Sequence, residues 1–304
     1  MKSEKNIKRL KGTNVLDLGI SCPVVKEIDD FYNVAPFPNY EDTSNKNELL
    51  EKVLTNEFLR DFKRKVGFGK SFIEVGCGTG QLSIAMAIGT NNEIVGFDAT
   101  EESLRLADKF SQKIRQNNVT FLRGDLFDDP FEKECFDYVW CSGVLHHTKN
   151  TKDGLKKIAS WVKPGGTIVV GLYNTYGRTR TRFGQLLVRI FGDRHSIRRT
   201  IELFDPILRS TRSSEKANAW FRDQYIHPVE RTHTLDEVLE WFEEFGIEFK
   251  GSIPDPFARG LFVGFDNMDG EKGTFASRVF SQISMNFSRF GAEGGLFICF
   301  GIKR

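Results

Sequence analysis

Between residues 71 and 173 the chain alternates short apolar segments with longer segments of helical periodicity. The short segments are rich in β-branched and aromatic residues, which indicates strands covered on both faces. Predicted strands lie at 71–75, 93–98, 119–123, 136–141 and 167–173, and predicted helices at 81–88, 101–115 and 151–162. Repeated strand–helix units of this length predict a parallel sheet with right-handed crossovers.

The two flanks of this alternation have different patterns. Before it, a polar and irregular start leads to one helix predicted from about Asn47, whose apolar positions continue to Phe62. After it, the alternation stops for about 60 residues and resumes at Thr234, where a capping box begins an amphipathic helix. A strand at 248–251 and a last strand near 295–302 follow, so the chain ends in a predicted hairpin pair.

Together these elements predict an α/β protein with a Rossmann-like sheet of seven strands, mostly parallel, whose last strand is antiparallel. A helical insertion follows the fifth strand, and a helical extension precedes the first. We expect four regions: an N-terminal extension or lid at 1–68, a ligand-binding core at 69–173, a basic helical insertion that covers the substrate at 174–233, and the C-terminal part of the fold at 234–304.

The composition limits the classes of function. Apolar residues make up 39% and charged residues 28% of the chain, as in ordinary globular proteins, and the net charge of +2 indicates no particular polyanionic partner. Five cysteines without a Cys-x-x-Cys pair argue against a disulfide framework or a structural zinc site, and favour a reducing cytoplasm. No segment approaches 18 consecutive apolar residues, so we expect neither a transmembrane segment nor secretion.

A glycine-rich turn follows the first strand of the alternation, with the sequence Glu-Val-Gly-Cys-Gly-Thr-Gly at 74–80. Glycines allow a sharp turn and the close approach of a ligand, and the helix after the turn presents unpaired amides. The dinucleotide fingerprint G-x-G-x-x-G would need a glycine at position 81, where this chain has Gln81. A tight turn without a ligand is the alternative interpretation.

The alternating glycines, with an acid two residues before them, resemble motif I of the class I S-adenosylmethionine-dependent methyltransferases, E/D-x-G-x-G-x-G. The resemblance covers residues 46–173 well and 234–304 more weakly. It implies a methyltransferase sheet, S-adenosylmethionine as the cofactor, and a position for Glu74 near the cofactor's ammonium group. The implied cofactor-binding residues are Glu74, Gly76, Cys77, Gly78, Gly80, Asp98, Ala99, Asp125, Leu126 and Cys141.

Two further acids follow the next two strands. Asp98 ends the second strand, where its carboxylate can accept both ribose hydroxyls, and a helix-capping role is the alternative. Asp125 follows the third strand, and the resemblance implies that it binds the adenine amino group while the amide of Leu126 meets a ring nitrogen. A loop aspartate that caps a short turn is the alternative there. Acids at three successive strand ends favour an adenosine site.

The fourth strand leads into Val-Leu-His-His at 144–147, which resembles the quinone and small-molecule methyltransferases and the tRNA wobble-uridine methyltransferases. Methyl transfer from a sulfonium is an in-line displacement in which positioning matters, and an oxygen or nitrogen nucleophile can also need a base. We predict that His146 or His147 is this base or orients the acceptor, with His146 preferred. A histidine bonded to backbone is the alternative. No further ligand stands at metal-binding spacing, so no metal is predicted.

The insertion is rich in arginine. Residues 176–212 contain nine Arg and no Lys against three acids, and Phe183, Leu186, Leu187, Ile190 and Phe191 have the spacing of a basic amphipathic helix. Three interpretations remain open: a lid helix packed on the sheet domain with a solvated arginine face, arginines that bind an anionic substrate, and attachment to anionic lipid or tRNA. Candidate substrate-binding residues are Tyr173, Arg178, Tyr225 and His227, with Tyr32, Phe37 and Tyr40 closing over them.

These observations predict a cytoplasmic S-adenosylmethionine-dependent methyltransferase that methylates a small-molecule acceptor, anionic or lipid-like acceptors included, by direct in-line transfer. A tRNA-modifying methyltransferase is the first alternative, although the sequence pI near 8.2 and the lack of a visible RNA-binding module do not favour nucleic acid. A nicotinamide-dependent oxidoreductase is disfavoured by Gln81. Weak peripheral contact with a membrane stays open, and the oligomeric state is not predicted.

Overall fold

One nine-stranded sheet organises the structure, a computed structural model that describes residues 7–33, 43, 45–211, 213–227, 229–259, 265, 269–287 and 294–304. Its strands are β1 (Lys8–Arg9), β2 (Leu16–Asp17), β3 (Ser71–Val75), β4 (Glu93–Asp98), β5 (Val119–Arg123), β6 (Phe136–Ser142), β7 (Val162–Tyr173), β8 (Ile247–Ile253) and β9 (Leu296–Lys303). Their order across the sheet is β1-β2-β5-β4-β3-β6-β7-β9-β8.

The strand directions define where a ligand can bind. Strands β2 to β7 are parallel to one another, while β9 is antiparallel to both of its neighbours, β7 and β8. The order reverses at β3, which has β4 on one side and β6 on the other. Open parallel sheets bind ligands at the carboxyl ends of the strands beside such a reversal. The residues that follow β3, β4 and β6 are therefore brought together.

Helices cover both faces of the sheet and form the insertion. Those in the described ranges are α1 (Pro23–Asn33), α2 (Lys46–Leu54), α3 (Glu57–Val66), α4 (Gln81–Ala87), α5 (Glu101–Lys113), α6 (Thr151–Trp161), α7 (Thr179–Phe191), α8 (His195–Glu202), α9 (Pro206–Ser210), α10 (Ser214–Phe221), α11 (Leu235–Glu244) and α12 (Phe275–Ser284). A π-helical turn, Arg222–Ile226, follows α10, and 3₁₀ turns Leu126–Asp128 and Leu145–His147 follow β5 and β6. None of these helices has both the length and the apolar character that crossing a membrane requires.

The predicted α/β Rossmann-like fold is confirmed, including the antiparallel last strand and the helical insertion. Two short strands that were not predicted, β1 and β2, extend the sheet beyond β5, so the sheet has nine strands rather than seven. They contain two residues each, too few for a periodic pattern in the sequence. The division into four regions stays a prediction, and part of the N-terminal extension belongs to the central sheet.

Asn56 divides the single helix predicted from residue 47 into α2 and α3. Its side chain accepts hydrogen bonds from the amides of Phe58 at 3.0 Å and Leu59 at 3.3 Å, so it is the N-cap of α3. A residue with this extended conformation interrupts the preceding helix. The apolar positions on both sides keep their expected place in the core, because Leu49 and Phe62 are fully buried.

Helix α7 turns its apolar positions outward, which corrects the interpretation that they pack on the sheet domain, although Arg180, Arg182 and Arg189 are solvated as that interpretation expected. Phe183, Leu186 and Ile190 are exposed, whereas Gly184 is buried. A Cβ on Gly184 would lie 2.4 Å from the ring of Tyr225, so the inner face of α7 must carry small residues at this contact. The periodicity identified residues that share a face, and the packing against Tyr225 decided which face is buried.

Candidate active site

The glycine turn between β3 and α4 passes too close to its neighbours for larger residues. Gly76 has a φ of +73°, and a Cβ there would lie 2.0 Å from Cγ2 of Val144. Gly80 has a φ of +74°, and a Cβ there would lie 2.7 Å from the ring of Phe121. Glycine adopts such a conformation without a steric penalty. The turn therefore brings bare backbone to the carboxyl end of β3.

Glu74 is a buried carboxylate at the end of this strand. One of its oxygens accepts hydrogen bonds from the amide of Ser83, at 2.8 Å, and from the Ser83 hydroxyl. Burial raises the pKa of Glu74 to about 8, and the Ser83 hydrogen bonds lower it only partly. A carboxylate that is this poorly stabilised in its charged form suits a cationic partner.

Asp98 is the last residue of β4, and Asp125 lies two residues after the end of β5. Asp98 accepts from the amide of Gly78 at 2.7 Å and from that of Thr100 at 2.8 Å, and burial raises its pKa. Asp125 accepts from the amide of Phe127 at 2.8 Å and caps the 3₁₀ turn after β5. The capping interpretation of Asp125 is therefore part of its role. Both carboxylates also line a cavity at the carboxyl ends of the strands.

One cavity of about 740 Å³ runs from the strand ends to the insertion. Eight of the ten predicted cofactor-binding residues line its strand-end half: Glu74, Gly76, Cys77, Gly78, Asp98, Ala99, Asp125 and Leu126. Residues of α9, α10 and the π-helical turn line its other half, which we call the insertion half: Ile207, Ala219, Trp220, Asp223 and Gln224. His147 and Tyr173 also line the cavity, which has the size typical of a site for small ligands.

His147, rather than the preferred His146, lies on this cavity. Its Nδ1 atom is 2.7 Å from the carbonyl oxygen of Val229, so Nδ1 carries the proton and Nε2 keeps its lone pair. In the described part of the chain Nε2 has no hydrogen-bonding partner. Burial lowers the pKa of His147, which keeps the ring neutral. The geometry therefore leaves a buried, unprotonated imidazole nitrogen without a described partner on a residue that lines the cavity.

His146 points away into the protein. Its Nδ1 atom accepts a hydrogen bond from the amide of Tyr173 at 3.3 Å, and the residue is fully buried. Burial holds the pKa of His146 well below its usual range. The sequence-based preference is corrected because the 3₁₀ turn Leu145–His147 directs the two side chains differently. The backbone-bonded alternative describes both histidines, because His147 is bonded to the carbonyl oxygen of Val229.

Tyr173 and two residues of the π-helical turn form a polar group beside His147. The Tyr173 hydroxyl donates to the carboxylate of Asp223 at 3.3 Å and accepts from the amide of Gln224 at 2.7 Å. The same amide donates to Asp223 at 2.7 Å. All three residues line the cavity. The sequence predicted Tyr173 as a site residue, but neither Asp223 nor Gln224.

Arg178 supports this group from behind and does not reach the cavity. Its guanidinium is fully buried, 3.4 Å from the centroid of the Tyr173 ring, and forms two hydrogen bonds to Glu230 at 2.8 and 2.6 Å. Such a bidentate pair satisfies the charge of both residues. Arg178 is therefore committed to a structural ion pair.

Four predicted site residues besides Arg178 and His146 lie off the cavity lining. Gly80 caps α4. Cys141 is a residue of β6 that is fully buried in the core. Tyr225 donates its hydroxyl to Asp205 at 2.8 Å inside the insertion, and His227 stacks on His147 with ring centroids 3.7 Å apart. Phe37, Tyr40 and the side chain of Tyr32 lie outside the described residues.

Helix α1 lies over the cavity and is held there by contacts that the sequence did not predict. It supplies Val24, Val25 and Ile28 to the lining. The next residue, Asp29, accepts from the guanidinium of Arg123 at 2.6 Å and from the first-turn amide of α5 at 3.0 Å. The ion pair joins residues 94 positions apart, so no local pattern reveals it.

Comparisons with known proteins agree with this geometry. A family model described as "Methyltransferase domain" matches residues 68–244, which is more than half of the chain. An uncharacterized protein of Synechococcus sp. is 27% identical over 197 residues, covering 59% of this chain and 47% of that relative. A demethylmenaquinone methyltransferase of Bacillus cytotoxicus is 24% identical over 217 residues, covering 69% of this chain and 85% of the relative.

A solved structure extends the likeness to the fold. The Rickettsia typhi protein PKMT2, in complex with AdoHcy, superposes with a TM-score of 0.56 at 16% identity, over 77% of this chain and 48% of that chain. This chain thus spans about half the length of PKMT2 and of the Synechococcus relative. The family model matches most of the sheet, so the chain belongs to the methyltransferase domain family. The prediction of a class I S-adenosylmethionine-dependent methyltransferase is confirmed.

Proposed function

We propose that this chain binds S-adenosylmethionine at the strand-end half of the cavity and transfers its methyl group to a small, largely apolar acceptor in the insertion half. When bound, S-adenosylmethionine supplies an electrophilic methyl group and leaves as S-adenosylhomocysteine, which keeps the electron pair of the broken carbon–sulfur bond. The residues of the chain bind the two molecules, orient them and take up the acceptor's proton.

Three carboxylates on one cavity support the binding of this cofactor. The cofactor carries a cationic ammonium, two ribose hydroxyls and an adenine amino group, and all of these donate hydrogen bonds. Ionised carboxylates only accept. Glu74 fits the ammonium best, because the pKa of about 8 that burial gives it reflects a charge that lacks a cationic partner. Asp98 and Asp125 fit the ribose and the adenine in the order of their strands.

The observation that carries the proposed mechanism is the protonation state of His147. Its Nδ1–H donates to Val229 at 2.7 Å, which leaves the Nε2 lone pair available on a residue that lines the cavity. Because burial lowers the pKa of His147, the neutral ring persists at neutral pH. Nε2 can then take the proton from an acceptor hydroxyl as that oxygen becomes methylated.

The polar group beside His147 supports a hydroxylated rather than an anionic acceptor. Asp223 offers a hydrogen-bond acceptor to a second hydroxyl of the substrate, while both N–H groups of the Gln224 side chain are already bonded to Tyr173 and Asp223. No arginine occurs among the described residues that line the cavity, and Arg178 is occupied by Glu230. The cations on the described lining are three lysines, Lys52, Lys149 and Lys216, and a carboxylate or phosphate placed beside Asp223 would face a like charge.

The remaining lining of the insertion half favours an apolar body. Ile207, Ala219 and Trp220 contribute apolar surface from the insertion, beside Thr211 and Lys216. Burial of apolar surface stabilises a bound ligand by about 25 cal/mol per Å². One curated relative is a demethylmenaquinone methyltransferase, which makes a reduced naphthoquinone a suitable first acceptor to test.

The test measures S-adenosylhomocysteine formation with a reduced naphthoquinone and with its carboxylated analogue. We expect turnover with the uncharged acceptor and less with the carboxylated one. Removing a general base costs about 10²- to 10⁴-fold in turnover, so His147→Ala and His147→Gln should lose that much. His195→Ala, at the exposed start of α8, is the matched control. Unchanged turnover in both His147 variants would rule out the proposed base, and preference for the carboxylated acceptor would rule out the acceptor class.

Cofactor choice has a separate test. S-adenosylmethionine and S-adenosylhomocysteine should raise the melting temperature, because a ligand at 100 times its Kd stabilises the folded state by about 2.7 kcal/mol. NAD and NADP serve as controls and should give no shift. Stabilisation by NAD in preference to S-adenosylhomocysteine would contradict the proposed function at its first step.

A further inference from the structure

Helix α7 carries an apolar ridge that faces solvent. Phe183 is 54% exposed, Leu186 is 50% exposed and Ile190 is 61% exposed. These residues follow one another at helical spacing, so they form one continuous strip on the outside of the insertion. A helix at the surface of a globular domain normally buries its apolar strip and exposes its polar one. The reversed orientation indicates a face that meets an apolar environment.

Arginines border this ridge. With 100° between successive residues of a helix, Arg182 and Arg189 lie along one edge and Arg180 along the other. Within the described part of the insertion, six exposed arginines have no carboxylate within ion-pair distance: Arg180, Arg182, Arg189, Arg194, Arg199 and Arg209. The face therefore combines an outward apolar strip with unneutralised positive charge.

We propose that this outer face of α7 docks on the surface of an anionic phospholipid bilayer. A helix that lies in the membrane interface buries an apolar strip among the acyl chains, while its arginines contact the lipid phosphates at both edges. Anionic headgroups complement the excess of six positive charges in residues 176–212.

Two other partners fit the face less well. A nucleic acid would pair with the arginines but would leave three large apolar side chains in water or against phosphate. A second copy of this chain, related by a twofold axis, would bring two arginine-rich faces together and repel. Both remain measurable outcomes of the experiment below.

The inner face of α7 connects this docking to the cavity wall. Gln185 donates to the carbonyl oxygen of Gln224 at 3.0 Å, and Gly184 contacts the ring of Tyr225. Both partners belong to the π-helical turn that also carries Asp223. A docked α7 thus holds the insertion half of the cavity next to the bilayer. If the proposed function is right, an apolar acceptor can be drawn from the lipid phase.

The experiment is flotation of the full chain with vesicles of phosphatidylcholine alone, or of phosphatidylcholine with about one quarter phosphatidylglycerol. We expect binding to the anionic vesicles, weakened by salt. Phe183→Ser/Ile190→Ser should abolish it even at low salt. Arg180→Gln/Arg189→Gln should weaken it about 30-fold, from about 1 kcal/mol for each arginine near a charged bilayer.

Matched variants elsewhere on the surface control for the loss of exposed apolar area and for the loss of positive charge. Phe68→Ser removes a phenylalanine that is 70% exposed, and Lys109→Gln/Lys113→Gln removes two exposed cations of α5. Both should bind as the unaltered chain does. Equal vesicle binding by Phe183→Ser/Ile190→Ser would overturn the proposal, as would salt-sensitive binding of tRNA or self-association in its place. Vesicle binding does not depend on S-adenosylhomocysteine affinity, so its failure and that of the proposed function are separable.

Discussion

His147 and His227 stack with ring centroids 3.7 Å apart and bond to the two backbone polar groups of the same residue, Val229. His147 donates from Nδ1 to the carbonyl oxygen of Val229 at 2.7 Å, while the amide of Val229 donates to Nδ1 of His227 at 3.2 Å. The two rings therefore carry different tautomers. Burial lowers the pKa of His227 to about 3, and a positive charge on His147 would lower it further.

The pH dependence of turnover follows from this pair. A base must be neutral to act, and the pKa of His147 is lowered from 6.5 by burial. At saturating substrates, turnover should thus stay level as the pH falls through 6.5 and decline only at lower pH. The check is turnover between pH 5 and pH 8. A half-maximal rate at pH 6.5, as for a solvent-exposed histidine, would contradict the assigned environment.

Ligand binding should release a proton from Glu74. Its pKa of about 8 means that the carboxyl group is mostly protonated at pH 7, and a cationic ammonium beside it would favour the carboxylate. Affinity for S-adenosylhomocysteine should therefore fall by up to about tenfold for each pH unit below 8. Calorimetry in phosphate and Tris buffers measures the released proton through the difference in buffer heats.

Two controls isolate Glu74 in that measurement. Glu74→Gln has no proton to release, so its binding heat should not depend on the buffer. Adenosine lacks the ammonium group and should bind without release linked to this residue. Proton uptake by the unaltered chain, or release that persists in Glu74→Gln, would show that another group responds.

The contacts of Asp29 in α1 with Arg123 and with the first turn of α5 should help to retain the cofactor. Asp29→Ala removes both the 2.6 Å contact to Arg123 and the cap on α5, and leaves the Arg123 charge with fewer partners. We expect S-adenosylhomocysteine to bind about tenfold more weakly, which corresponds to about 1.4 kcal/mol. The matched control is Asp30→Ala, because Asp30 is adjacent and exposed. Equal affinities of the two variants would mean that α1 does not retain the cofactor.

The sequence predicted the sheet well because its strands are covered on both faces. Strands β3, β4 and β5 are short, mainly apolar segments and have the predicted bounds, and parallel strands put their carboxyl ends at one edge. The acids that follow these strands could therefore be assigned to one site without knowing any distance. The positions of these acids follow from where each stands relative to the end of its own strand.

The insertion half of the cavity depends on packing that sequence patterns do not report. Two adjacent histidines look equivalent in the sequence, and only the turn after β6 separates their directions. Asp223 and Gln224 reach the cavity from a π-helical turn, whose wider winding departs from the 3.6-residue period used for prediction. The sequence predicted correctly which residues form the apolar strip of α7, but helical periodicity does not indicate whether that strip is buried or exposed.

Gly76 should tolerate no side chain. An alanine there would adopt a φ of +73° and place its Cβ 2.0 Å from Val144, so we expect a loss of about 3 kcal/mol in the free energy of unfolding, from backbone strain and overpacking together. Gly143→Ala is the matched control: its φ is +81° but nothing lies within 4 Å, so strain alone should cost about 1 kcal/mol. Urea denaturation measures both, and Val144→Ala in the Gly76→Ala background should recover part of the loss. Equal losses at Gly76 and Gly143, or no recovery, would show that the turn is free to move away from Val144.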